Sequence, residues 1–242
     1  MTNFKVQSKV IMQPRMSSVS AKNEFEIDIS NLNQIDLKNL VRQGENQFIE
    51  FKTKVKYPHK IVKELVAFAN SKGGILFLGV SDNGQINGLK FPEDDYFDME
   101  RAIEKYCFPM FTYTMKVVPL DNGHSVLIYK VTQSIDKPHY VQVSEDESPV
   151  CYVRVEDKSI QASKELRTIL RREYEEGVKF TYGETEKLLV NYLQKNKSIT
   201  LNQFKELVNI PEWLASRKLI LLVLTNVLKL VPSELEDIYY LR

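Results

Sequence analysis

Gly73-Gly-Ile-Leu-Phe-Leu-Gly-Val80, continued by Ser81-Asp-Asn-Gly84, is the stretch on which the reading of this chain turns. Ile75 to Val80 is an unbroken apolar run of strand length, without the alternation of a half-exposed strand. Such a run belongs to a strand covered on both faces. Gly73-Gly74 stops whatever precedes it, and Asp82-Asn83-Gly84 turns the chain after it. Gln85 to Leu89 is predicted to return as a second strand. Upstream, Pro58 opens a segment in which Ile61, Val62, Leu65, Val66, Phe68 and Ala69 recur at helical spacing. Before that, Gln47 to Lys52 reads as a strand. Asp36 to Gly44 reads as a short helix with Asp36 as N-cap and Leu37, Leu40 and Val41 as its apolar stripe.

Downstream, residues 94–107 read as a helix carrying Met99, Ile103 and Tyr106. Tyr113 to Leu120 and Ser125 to Val131 read as a hairpin around Asp121-Asn-Gly123. Pro138 to Val141 and Val150 to Val155 supply further strands. Ser163 caps an amphipathic helix to Glu176, and Gly177 closes this domain. The order gives an α+β fold: a mixed sheet with hairpins and flanking helices. Residues 183–242 differ. Three helices (from Glu184, Leu201 and Pro211) precede two short strands flanking Pro232-Ser-Glu-Leu-Glu236, the order of a winged helix. The expected organisation is an N-terminal arm over 1–30, a main domain over 31–178 and a small winged-helix-like domain over 183–242. The arm, with Lys5, Lys9, Arg15 and Lys22 and no acid before Glu24, also has the composition of a transit peptide.

Composition narrows function. Across 242 residues, 33 Lys+Arg against 32 Asp+Glu leave a charge of +1, so any polyanion contact must come from a local patch. Cys107 and Cys151 are too few for a disulfide framework. With His59, His124 and His139 they also lack zinc-ligand spacing. The longest apolar run, Leu219 to Leu224, is far short of a bilayer span. A soluble, cytoplasmic protein is expected. No G-x-S-x-G, H-E-x-x-H or EF-hand pattern occurs. Gly74-x-x-x-x-Gly79 opens like a P-loop, but Val80-Ser81 stands where Lys-Ser/Thr is required, and the string runs through a strand.

Two constellations carry chemistry. Glu45, Glu50 and Asp82 could together hold a divalent cation, Mg2+ or Mn2+, suited to phosphodiester cleavage. Equally, Glu45 can be a surface acid, Glu50 the partner of Lys52 or Arg154, and Asp82 a turn former. Residues five apart on a regular strand face opposite ways, so Glu45 joins Glu50 only if it precedes the strand or a bulge intervenes. The second constellation is basic. Lys52, Lys54 and Lys56 alternate and would line one strand face; Lys60, Lys63, Arg154 and Lys158 extend the set, and Tyr57, His59 and Tyr140 could stack on bases. The alternative is a strand edge protected by lysines. The third helix of the C-terminal domain offers Arg217, Lys218 and Asn226 but is otherwise apolar. Residues 180–242 hold eight Lys/Arg against seven Asp/Glu, a poor footprint for reading DNA. Dimerisation or packing is the better use of such a helix.

Glu45-Asn-Gln-Phe-Ile-Glu50-Phe-Lys52, Ala67-Phe-Ala-Asn70 and Gly73-Gly74 through Val80-x-Asp82-x-Gly84-x-Ile-x-Gly88 together resemble the signature of the Schlafen/AlbA-like domain. Lys137-Pro-His-Tyr140, Tyr152-Val-Arg154 and Ala162-Ser163 extend the likeness over about 40–176. Bacterial members are described as nucleic-acid-binding or ATP-binding proteins, often with a helix-turn-helix and a transcriptional-regulator label. Animal relatives include metal-dependent endoribonucleases of tRNA and rRNA that use three acids. Motif for motif, those acids fall on Glu45, Glu50 and Asp82. The nucleases clasp RNA between two lobes, whereas this chain has one, so the resemblance implies a homodimer, with the apolar helix of 211–228 as its candidate interface. The expectation is an RNA- or DNA-binding protein. Lys52, Lys54, Lys56, Arg154 and Lys158 would hold phosphates, and Glu45, Glu50 and Asp82 would be the cation and catalytic set. A non-enzymatic DNA-binding regulator is the alternative.

Overall fold

A computed structural model describes residues 27–242; the first 26 positions of the expected arm lie outside the described residues. In the described chain, α1 (Gln34–Val41), β1 (Ile49–Lys52), α2 (Pro58–Asn70) and β2 (Gly74–Leu78) come first. They are followed by α3 (Pro92–Tyr106), β3 (Cys107–Phe108), β4 (Tyr113–Pro119), β5 (Ser125–Val131), β6 (Tyr140–Val141), β7 (Tyr152–Val155) and β8 (Lys158–Gln161). The main sheet has the order β1-β2-β5-β4. β1 and β2 are parallel, with Glu50 opposite Leu76; the other pairings are antiparallel. The fold is α+β, as the element order predicts.

The unbroken apolar run of β2 is explained by what covers it. Leu76 and Leu78 join a core with Ile61, Val62 and Leu65 of α2 and Met99 and Ile103 of α3. Ile75 and Phe77 point the other way, into a second core with Leu37, Leu40 and Val41 of α1. The same alternation places Ile49 and Phe51 of β1 on the α1 side, so Glu50 and Lys52 face the α2 side.

Several boundaries differ from the sequence-based expectation. Helix α1 is capped by Asn33, not Asp36: the Asn33 side chain accepts from Ile35 N and Asp36 N, and Asp36 reciprocates as the third residue of a capping box. Gln85–Leu89 is no strand; it makes only single bridges, Val80 to Ile86 and Leu89 to Ser125. Gly79, at φ +103°, turns the chain out of the ladder, and its carbonyl accepts from both Asn87 N and Gly88 N. A Cβ on Gly79 would come within 3.0 Å of Gly88 Cα, so two backbones touch where a hairpin would hold them apart.

The chain divides into two compact units between Ser159 and Ile160, not after Gly177. The second unit starts with the end of β8 and contains α4 (Lys164–Arg172), α5 (Glu184–Asn196), β9 (Ser198–Thr200), α6 (Leu201–Val208), α7 (Glu212–Leu224), β10 (Leu228–Val231) and β11 (Ile238–Leu241). Helix α4 belongs here because its partners do: Ser216 Oγ of α7 donates to Glu165 at 2.6 Å, and Ser163 bonds Asp237. Leu166, Ile169 and Leu170 of α4 are buried. The strands form an antiparallel sheet of order β10-β11-β9. Ala215, Leu219 and Leu222 of α7 enter a core with Leu189, Leu193, Phe204 and Tyr239. Ser216 and Ile220 are buried as well. Five residues of this helix are thus packed inside the unit, whereas Leu214, Leu221 and Leu224 stay half-buried and Trp213 exposed. Among the described residues no helix is long and apolar enough to cross a membrane.

Candidate nucleic-acid interface

Glu50 is 5% exposed, a carboxylate inside the protein. Such a group needs partners, and it has two: Lys52 Nζ on Oε1 and Arg154 Nη2 on Oε2 at 2.7 Å. The Arg154 side chain is 1% exposed. Its guanidinium donates to Asn46 O (3.0 Å), Ile49 O (3.2 Å), Glu64 Oε2 (3.2 Å) and Ser159 Oγ (3.4 Å), and lies 5.1 Å from the centre of the Phe68 ring. Ser159 Oγ also donates to Glu64. This guanidinium is therefore saturated by protein and holds no phosphate, which corrects the expectation for Arg154. Alternation along β7 turns Tyr152 and Arg154 the same way, toward Lys63 and Glu64 of α2.

Glu45 precedes β1 and folds back, its Oε1 accepting from Phe51 N at 2.9 Å. This return lets it approach Glu50 despite their spacing. Partial burial raises the Glu45 pKa above the ordinary value against the Phe51 hydrogen bond, with the charges of Glu50 and Asp82 adding to the rise and Lys52 opposing it. Burial also raises Glu64, aided by Glu50; its bond from Ser159 and its pairing with Arg154 pull the other way and lose. Burial alone would depress Lys52, but the hydrogen bond and charge of Glu50 outweigh it, so its pKa lies above the ordinary value. Asp82 sits exposed in its turn, close enough for its charge to reach Glu45. The three acids thus share one neighbourhood. They do not form a cation centre as placed: both Glu50 oxygens are engaged, one Glu45 oxygen holds a backbone amide, and no three His, Cys, Asp or Glu among the described residues are grouped to ligate a metal.

The basic set is arranged differently from a strand-borne stripe. β1 ends at Lys52, so Lys54 and Lys56 lie beyond it in an irregular, exposed segment, and Lys54 acts on Asp95 of α3. Lys158 is exposed on β8. A different strip forms where that segment enters α2. Tyr57 is 50% exposed, with Lys56 Nζ 5.3 Å and Lys60 Nζ 5.0 Å from its ring centre. His59 packs edge-on between Tyr57 and Tyr106, with Lys105 above Tyr106 at 5.1 Å. Lys63 covers Tyr152 at 5.2 Å. Cations around accessible rings can hold phosphates and stack bases. Tyr140, expected to join them, instead pairs with Phe108 in the β3–β6 ribbon. Glu64, Asn46 and Ser159 are essential to the buried network yet absent from the sequence-derived set; the one signal was Glu64 interrupting the apolar face of α2.

Residues 45–163 match the family model described as Schlafen, AlbA_2. Among solved structures, the DIP2311 protein from Corynebacterium diphtheriae is similar, with 20% identity and a TM-score of 0.39 over 52% of this chain and 27% of that one. The present chain thus corresponds to about a quarter of that protein's length. No curated protein matches the sequence. The matched segment opens on Glu45, takes in the Glu50–Lys52–Arg154 network and closes on Ser163, so the likeness to the Schlafen, AlbA_2 family lies over the whole of this network.

Proposed function

We propose that this protein binds single-stranded nucleic acid through the lysine–tyrosine strip of its first unit. The observation that carries the reading is Tyr57, half exposed and bracketed by Lys56 and Lys60. An accessible ring with two lysine ammonium groups close by suits an unpaired base and its phosphates, because a duplex keeps its base faces stacked inside. The Schlafen, AlbA_2 domain supports a nucleic-acid-related role. Lys52, Lys54 and Lys158 extend the cationic surface, and Lys63 with Tyr152 continues it along α2.

Glu50 and Glu45 are committed to Lys52, Arg154 and the Phe51 amide, which leaves Asp82 as the one acid of the three with both oxygens free and does not favour cleavage. In this reading Glu50 holds the Lys52 ammonium in place at the end of β1. From α5 onward the second unit runs helix–strand–helix–helix–strand–strand, the order that supports a winged-helix reading. Helix α7 turns Glu212, Trp213 and Arg217 outward, a single exposed base beside an acid, which disfavours the DNA-reading regulator as the principal activity.

Fluorescence anisotropy with labelled RNA and DNA 20-mers across a salt series tests the proposal. Binding is expected to weaken with salt and to fall further in the Lys56→Glu/Lys60→Glu variant. Tyr57→Ala should lose about 1–3 kcal/mol, the worth of one stacked base. Salt-independent affinity, or equal affinity in these variants, would overturn it. Mn2+-dependent RNA cleavage abolished by Glu50→Gln would replace it with the nuclease reading.

A further inference from the structure

A groove of about 410 Å3 lies between the C-terminal turn of α1 and the 82–86 turn, bordered by Lys38, Arg42, Gly44, Asp82, Gly84 and Ile86. Lys38 and Arg42 are four apart, so α1 presents both on one side, next to Val41. Both are exposed, and neither forms an ion pair or side-chain hydrogen bond with a described residue. Asp82 on the facing wall is likewise uncommitted. Two cations opposite one acid leave a local excess of positive charge. The turn is seated closely on α1: a Cβ on Gly84 would be 3.6 Å from Val41 Cγ1. The groove adjoins the acid network, because Gly44 precedes Glu45 and the charges of both Asp82 and Lys52 reach the Glu45 carboxyl.

We propose that this groove is a second phosphate-accepting subsite for the same strand, with Lys38 and Arg42 contacting the polynucleotide backbone on the α1 wall, away from Asp82. The inference rests on the nucleic-acid reading and extends it: the strand would leave the Tyr57 strip on the α2 side and pass round the β1 edge of the sheet, by Lys52 and Glu45, to reach α1 on the other face. Uncommitted cations that lose counterions on meeting phosphate contribute directly to the salt dependence of binding.

The test is the full chain, wild type against Lys38→Glu/Arg42→Glu and against Lys56→Glu/Lys60→Glu, titrated with labelled single-stranded 20-mers over a salt series. Thermal melts verify that each variant is folded. The expected result for Lys38→Glu/Arg42→Glu is affinity at least about tenfold weaker, with the log–log salt slope shallower by about 1.4, or 0.7 for each phosphate lost from a single strand. An unchanged slope in this variant, with a reduced one in Lys56→Glu/Lys60→Glu, overturns the groove and leaves the strip standing. No binding by the wild type overturns both. Binding of free ATP at the groove without any binding of oligonucleotide, lost on substituting Lys38 and Arg42, overturns the strand assignment.

Discussion

Arg154 holds two carboxylates and two backbone carbonyls at once, with its side chain almost wholly buried. Removing one member of such a set strands the others without compensation, and the cost is then set by desolvation rather than by any single bond. Arg154→Met should therefore destabilise the protein by about 3–5 kcal/mol in urea unfolding. Arg154→Lys should recover little, because an ammonium cannot reproduce the planar fork. A double-mutant cycle with Glu50→Gln should show coupling, and additive losses would refute the network. His139 supplies a pH signature. It is fully buried; its amide donates to Asn70 Oδ1 at 2.7 Å, its Nδ1 lies 2.8 Å from Pro109 O, and its Nε2 has no partner. Burial lowers its pKa below the ordinary value, against the pull of the Pro109 carbonyl and Asp136 and with a minor push from Lys137. The unfolded chain takes up the proton near pH 6.5 while the folded one resists. Stability is thus full above that pH and declines below it, until the folded form also titrates. The melting midpoint should drop on acidification below about pH 6.5, and His139→Gln should flatten that drop. Glu45 and Glu64, with raised values, contribute with the opposite sign at lower pH.

At the scale of elements, the sequence was most informative where periodicity was strong. β2, α2, the β4–β5 hairpin and α5 stand close to where apolar spacing places them. It failed where a local turn competed with a pattern. Asp36 resembles an N-cap, but Asn33 lies three residues earlier and makes a box with it. Gln85–Leu89 resembles a strand, but Gly79 has already left the ladder. The Lys52-Lys54-Lys56 alternation promised a stripe, yet the backbone abandons strand geometry after Lys52. Neither the coverage of Arg154 by α2 nor the return of Glu45 onto the Phe51 amide could be read, because both depend on which elements meet across the fold. Two measurements bear on this scale. Asn33→Ala should cost about 1 kcal/mol for the lost cap. Gly79→Ala should cost about 1–3 kcal/mol, since it forces a side chain into a left-handed conformation against Gly88. Thermal melting would check both, and a neutral Gly79→Ala would show that the close crossing is not maintained.

For the whole molecule, the likeness to the Schlafen, AlbA_2 family and the fold class were legible in the ordered motifs, whereas the limit of the first compact unit was not. Gly177 looks like an end, but the bonds of Ser163 and Glu165 assign α4 to the unit that follows. A fragment ending at Gly177 should therefore expose Leu166, Ile169 and Leu170 and bind the dye ANS, whereas the full chain should not; a dye-silent fragment would contradict the assignment. Because the proposed interface works by lysine ammonium groups rather than by a metal ion, EDTA should leave oligonucleotide affinity unchanged, and a metal requirement for binding would count against it. The reach of Arg154 has a further consequence during synthesis. The carbonyls of Asn46 and Ile49 and the carboxylate of Glu50 leave the ribosome more than a hundred residues ahead of the guanidinium that fixes them. The nascent lobe must wait with that corner unfastened until β7 emerges, so the part of the domain written first is among the last to close.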